Sequence, residues 1–366
     1  MANFNLKDFN IDFDFDLKKF NFSLTSCDLG VDLGTSNVLI CAENKGLKIR
    51  EPAVVAMDKN TGKVIQVGAA ARNMLGRTPG NVVAMYPLKE GIISDHEMTV
   101  KMLQAMFRAA TEASIFTPKP RVVISVPSGV TEVEERSVIN AAIDAGARRV
   151  FLIEEPLAAA LGAGLDISGP QGHMVVDIGG GTTDVAVLTM NGVAVSSSLK
   201  VAGNAMDELI IRYIRRNHSV VIGQTLAENV KIQLGRAYPG TEEQIMTLKG
   251  RDIKTGMPRT VEITSAEVFE ILRRPLRQIA DEVLSVLEQT SPELVGDIAE
   301  QGIVITGGAA QMWGMADMLT ERVGIQCVVA DDPAACTAIG CGKSLAWIKT
   351  MSEGPINIAR KRAMRQ

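Results

Sequence analysis

The sequence predicts an α/β protein of two similar units facing each other across a cleft, and three observations lead there. From Leu29 onward, apolar strand-like runs alternate with helical stretches, the βαβ rhythm of this class. Two segments repeat one design: GVDLGTSNVLI (Gly30 to Ile40) and MVVDIGGGTTDVAVL (Met174 to Leu188) each give an apolar strand, an aspartate, a Gly/Thr turn and a second β-rich run. No linker rich in Pro, Gly or Ser separates the halves, so helices should join the units and a ligand should sit in the cleft between them.

Composition narrows the functional classes. The chain has 366 residues, 46% of them apolar, enough for a sizeable core and for two domains at the usual size of roughly 100 to 200 residues. Lys plus Arg number 38 against 42 Asp plus Glu, a net charge of -4, so no bulk positive field favours nucleic acid or anionic lipid. Five cysteines without a C-x-x-C, and only three histidines, leave too few ligands for a soft-metal site and fit reduced thiols in a cytosolic protein. No apolar run approaches the roughly 20 residues that span a bilayer. The start lacks the basic end and apolar core of a signal peptide, so a protein neither secreted nor membrane-spanning is expected.

Along the chain, the first element is the odd one. Residues Met1 to Leu24 hold six of the ten phenylalanines, and Ile11, Phe13, Phe15 and Leu17 alternate with Asp12, Asp14 and Asp16 in the period of a strand with one apolar face. This extension reads either as a tail or added edge strand, or as an adhesive segment for a partner or membrane surface. The first hairpin follows at Gly30. Thr131 and Glu134 then form a capping box, with Gly146 at the C′ position, for a helix through TEVEERSVINAAIDA. Val150 to Gly164 runs an apolar strand into Glu154, Glu155 and Pro156 and on into a small-residue helix, the proline standing in the first turn where its missing N–H costs nothing. After the second hairpin, a long helix should span about Ser265 to Gln289 with a bend near Pro275, and Pro292 should sit in the first turn of another. Gly302 to Gly314 reads as strand, Gly307-Gly308 turn and helix.

The turns carry the chemistry. Gly34, Thr35, Ser36 and Asn37 in one hairpin, and Gly179, Gly180, Gly181, Thr182 and Thr183 in the other, combine glycines that bring successive backbone N–H groups onto one anion with small hydroxyl donors. One such turn signifies little, but two of matched design make a pair of phosphate cradles. Asp32 and Asp177 precede them, so two carboxylates would flank a polyphosphate. That arrangement requires a hard cation such as Mg²⁺, which keeps several waters and uses one or two carboxylates plus phosphate oxygens. Gly307 and Gly308 would let the backbone approach a nucleotide's sugar and α-phosphate. Glu155, at a strand's end opposite the cradles, is placed to orient a water for attack on a terminal phosphoryl group; an acid that merely serves the helix dipole is the plainer alternative.

These three glycine elements, in this order and with the Glu-Glu-Pro segment between the first two, resemble the actin, Hsp70 and sugar-kinase ATPase superfamily. EPAVVAMD, GRTPGNVVAMYPLKEGIISD, PRVVISVPSGVTEVEERSV, FLIEEPLAAALGAG, AENVKIQLG and ITGGAAQMWG, spread between about Leu29 and Lys349, resemble more closely the MreB/Mbl family of bacterial actin homologues. The resemblance implies an actin-like fold of two duplicated ribonuclease H-like domains with a nucleotide cleft between them. Domain I would take 25–168 and 340–366 with a subdomain at about 57–89, domain II 169–339 with a subdomain at about 206–269, and 1–24 would precede both. The implied activity is a slow ATPase coupled to polymerisation. Asp32 and Asp177 would hold hydrated Mg²⁺, Glu155 would position the attacking water, Glu228 would take a ribose hydroxyl, Lys231 would lie against the base, and Gly307 and Gly308 would close the adenosine side. Without the family, Glu228 and Lys231 would read as an i,i+3 surface ion pair. Three positions depart from the family pattern: Ala309 replaces a third glycine, Asp184 stands where many have Glu, and Asn204 where an acid is common. Ala309 should be tolerated if its φ is negative.

The resemblance further implies head-to-tail filaments, the open product of a heterologous contact that does not close. They would lie in the cytoplasm at the inner face of the cell membrane, with the cell-wall elongation machinery and its membrane adaptors as partners and rod shape as the outcome. Relatives carry an apolar loop that dips into the membrane; it matches Ala113 to Phe116, where burial of Ile115 and Phe116 would contribute about 1.5 to 3 kcal/mol each. A lone subunit would bind poorly, whereas a filament shares one immobilisation cost over many loops. Within the superfamily, an Hsp70-type chaperone would need a further substrate-binding domain and a sugar kinase a second pocket with its own base. A plasmid-partition actin would form filaments without membrane loops.

Overall fold

A computed structural model describes residues 27–43, 45–112, 118–240 and 242–348; the Phe-rich extension and the loop with Ile115 and Phe116 lie outside the described residues. The repeated hairpin is the centre of a repeated sheet. In the first lobe, Leu29–Leu33 and Asn37–Ala42 pair antiparallel, Gly46–Pro52 extends the pair, and Arg121–Val126 and Arg149–Glu154 add in parallel on the other side. The second lobe has the same order and sense: His173–Ile178 with Thr183–Thr189 and Gly192–Leu199, then Ile303–Thr306 and Cys327–Val329 in parallel. The duplication therefore extends to all five strands. Each sheet carries a small three-stranded sheet inserted after its third strand. One comprises Val64–Val67, Val55–Asp58 and Val82–Met85, and the other Val220–Val221, Ile245–Asp252 and Pro258–Thr264.

Helix boundaries follow the expected punctuation. Thr131 and Glu134 form a reciprocal capping box on Glu132–Asp144, and Gly146, at φ 111, ends that segment. Pro275 lies inside Ser265–Glu288, whose start carries a second capping box from Thr264 and Glu267.

Two helices carry the chain between the lobes, Glu155–Ala163 outward and Cys336–Ile348 on return. They cross so closely that a Cβ on Gly162 would stand 1.7 Å from the Cys336 carbonyl oxygen, and one on Gly340 1.7 Å from that of Ala158. Around them Val123, Phe151 and Ile153 from the first sheet share a core with Val175, Ala186 and Leu188 from the second. This common core, distinct from the larger core inside each lobe, ties the sheets together at the base. Both hairpin turns open into the cleft above it. All five cysteines are free thiols.

Candidate functional site

The two hairpin turns meet face to face. A Cβ on Gly180 would stand 2.2 Å from the Ser36 hydroxyl, and one on Gly181 2.3 Å from the Thr35 hydroxyl, so close approach requires glycine at both positions. The Gly91 N–H donates to Thr35 Oγ1 at 2.8 Å, and Ser36 donates to Asn204 Oδ1 across the cleft at 2.9 Å. The turns line a cavity of about 760 Å³, within the usual range for a small-molecule site. Asp32, Gly34, Thr35, Ser36, Asn37, Glu155, Asp177, Gly179, Gly180, Gly181, Thr182, Glu228, Lys231, Gly307 and Gly308 all line it. Thr183 does not: it is buried, and its hydroxyl donates to the Val201 carbonyl at 2.8 Å.

Four carboxylates gather beneath the turns. Asp32 and Asp177 occupy equivalent places in their hairpins, Asp184 is the cross-strand partner of Asp177, and Glu155 opens the crossing helix. Thr337 donates to Asp177 Oδ2 at 2.8 Å, the Ser128 N–H to Asp184 Oδ1 at 2.8 Å, and Ser125 to Asp32 Oδ1 at 3.4 Å. Burial, with the neighbouring Asp177, pushes Asp32 up to about 7; burial pushes Asp177 up to about 7 against the Thr337 bond. Glu155 is raised well above the carboxylate range by burial and then by Asp184, Asp32 and Asp177, and burial also raises Asp184.

Among the described residues, the neighbours that weigh most on Glu155 after its burial are the carboxyls of Asp184, Asp32 and Asp177, so the groups of this cluster raise one another. Among the described residues no three or more His, Cys, Asp and Glu side chains are arranged to hold a metal alone. The donor set of Asp32 and Asp177 fits a hydrated ion such as Mg²⁺, which takes one or two carboxylates and completes its shell with waters and phosphate oxygens. In the sequence Asp184 stands out only as a departure from the family pattern. Its place after the turn, symmetrical with Asp177 before it, is the signal that pairs the two across the hairpin.

The elements expected around an adenosine differ in detail from the sequence expectation. Gly307 has φ 89, and a Cβ there would stand 2.3 Å from the Ile178 carbonyl oxygen. A 3₁₀ turn over Gly308–Gln311 follows in place of an α-helix, which starts only at Met315, after Gly314 at φ 75 packed against Tyr238. Ala309 keeps a negative φ, so the missing third glycine introduces no backbone strain. Glu228 and Lys231 do not pair with each other. Lys231 Nζ lies 2.8 Å from Asp207 Oδ1 and donates to the Gly203 carbonyl at 2.8 Å, while Glu228 pairs with Arg72 of the other lobe. Residues the sequence did not single out also line the cavity, among them Arg236 and Trp313, with the guanidinium 5.7 Å from the indole centroid.

Comparison with known proteins agrees with this architecture. The family model described as MreB/Mbl protein matches residues 26–353. The chain is 47% identical over 336 residues to the cell shape-determining protein MreB of Escherichia coli K12, covering 91% of this chain and 96% of that one. It is 45% identical over 318 residues to the cell shape-determining protein Mbl of Bacillus subtilis, covering 87% and 95%. The crystal structure of MreB5 of Spiroplasma citri bound to AMPPNP superposes with a TM-score of 0.83 at 37% identity, covering 89% of this chain and 97% of that one. Matched across nearly all its described length, with duplicated sheets of the actin-like fold around one cleft, the chain belongs to the MreB/Mbl family.

Proposed function

We propose that the cleft binds ATP with Mg²⁺ and hydrolyses it slowly, and that the protein forms membrane-apposed filaments which organise cell-wall synthesis and rod shape. The face-to-face meeting of two glycine turns above four buried or half-buried carboxyls supports this best. Gly34, Thr35, Ser36 and Asn37 would hold the phosphates from one lobe and Gly179, Gly180, Gly181 and Thr182 from the other; Thr183 would act by fixing the turn. Asp32 and Asp177 would hold Mg²⁺ largely through water, and the ion would supply positive charge against the developing phosphate charge. With its neighbours so neutralised, Glu155 would serve as a carboxylate that orients the attacking water and accepts its proton. Glu228 would meet the ribose, the aliphatic stem of Lys231 would lie against the base, and Gly307 and Gly308 would close that side.

The MreB5 relative carries AMPPNP, and the E. coli and B. subtilis relatives are named for cell shape. Domain boundaries at 25–168 plus 340–366, and 169–339, remain part of this proposal, as do the wall-elongation partners and a cytoplasmic, peripheral membrane location. Phosphate release measured together with light scattering tests it. ATP and Mg²⁺ should give polymer and free phosphate without added acceptor; phosphate transfer only when a sugar is supplied would favour a kinase.

A further inference from the structure

Arg72 and Glu228 reach each other across the mouth of the cleft. Arg72 ends the short helix Ala69–Arg72 beside the first lobe's small sheet, and Glu228 lies on Gln224–Leu234 in the second lobe. Arg72 Nη2 donates to Glu228 Oε2 in a charge-assisted hydrogen bond, with the side chains only 28% and 23% exposed. Tyr86, from the same lobe as Arg72, stands beside the pair, close enough for both Glu228 and Arg72 to act on its hydroxyl. Glu228 lines the cavity, and this bond engages only one of its two carboxylate oxygens.

A glutamate on a helix face has rotamer freedom that a ligand contact must overcome. Here that freedom is removed from the opposite lobe, before any ligand arrives. Lys231, one turn along the same helix, is unavailable for the task because its ammonium is committed to Asp207 and Gly203. We propose that Arg72 is a positioning residue that presents Glu228 to the sugar hydroxyls only while the lobes are closed, so that recognition of a ribonucleotide depends on closure of the cleft. This rests on the reading of the cleft as a nucleotide site.

Equilibrium binding of ADP, 2′-deoxy-ADP and 3′-deoxy-ADP with Mg²⁺ to the full chain tests it, hydrolysis being avoided by the choice of diphosphates. The unmodified protein should prefer ADP over at least one deoxy form by about tenfold or more, the scale of one hydrogen bond to a charged group. Arg72→Ala and Glu228→Gln should each abolish that preference, and the double variant should lose no more than either alone. Arg72→Lys, which keeps a cation at the site, should restore part of it. Should Arg72→Ala fail to fold by circular dichroism, Arg72→Gln takes its place. Equal weakening of ADP and deoxy-ADP in the Arg72 variants would mark a structural role only and overturn the proposal. So would binding by the unmodified protein without any sugar preference, which leaves the nucleotide site standing. Failure of the unmodified protein to bind any nucleotide would overturn the site itself.

Discussion

Asp177 and Asp184 stand directly opposite each other on adjacent antiparallel strands of the second hairpin, and burial raises both carboxyls. Like charges at a cross-strand pair oppose folding. Here they are joined by Glu155 and Asp32, so the hairpin that places the glycine turn also crowds four carboxyls beneath it. Ionising them together in the folded chain carries a cost that the unfolded chain does not bear.

Stability should therefore fall as pH rises. Burial pushes Asp32 and Asp177 up to about 7 in the folded protein, above the ordinary carboxylate value of about 4, so between those values the folded chain should bind more protons than the unfolded one. A raised acid contributes stability that is full at low pH and lost as pH climbs through the folded value. Without Mg²⁺, the melting temperature should drop by several degrees from about pH 5.5 to about pH 8, and Mg²⁺ with nucleotide should flatten the curve. A melting temperature that rises over this range would contradict the charge account.

Glu155→Ala should leave ATP affinity nearly intact while slowing phosphate release by about 10²- to 10⁴-fold, the usual contribution of a positioned acid or base. Single-turnover kinetics separate the two quantities. An unchanged rate would return Glu155 to the role of a helix-start acid.

Gly307 and Gly308 should respond differently to a methyl group. Gly307→Ala meets a positive φ and the Ile178 carbonyl oxygen together, and should cost about 1 to 3 kcal/mol of stability and most of the nucleotide affinity. Gly308→Ala meets open space and should do neither. Urea denaturation and ADP binding on both variants check this, and equal effects would show that the backbone geometry assigned to Gly307 is wrong.

Replacing Ile115 and Phe116 with serine should remove about 3 to 6 kcal/mol of membrane attraction per subunit, enough to release polymer from liposomes. Co-sedimentation of assembled protein with vesicles measures it. Full retention would move the anchor to the Phe-rich extension.

What the sequence revealed divides along physical lines. The two hairpins were legible because turn chemistry is local: glycine and threonine between two apolar β-rich runs specify a tight turn wherever it lies. The capping box at Thr131 and the first-turn Pro156 were legible for the same reason. The pairing of Arg72 with Glu228, 156 residues apart, is hidden from the sequence because it depends on how the lobes meet, and so is that of Lys231 with Asp207; spacing alone suggests only an i,i+3 pair of Glu228 with Lys231. The 3₁₀ turn at Gly308 escaped because Gly314 and its contact with Tyr238, not the preceding glycine pair, decide where the helix begins.

A crystal structure of this chain with AMPPNP and Mg²⁺ tests the central claim most directly. The triphosphate should lie between Thr35–Ser36 and Gly180–Gly181, with Mg²⁺ linked through water to Asp32 and Asp177 and a further water within reach of Glu155. A nucleotide bound outside the paired turns, or a metal ion remote from both aspartates, would contradict it.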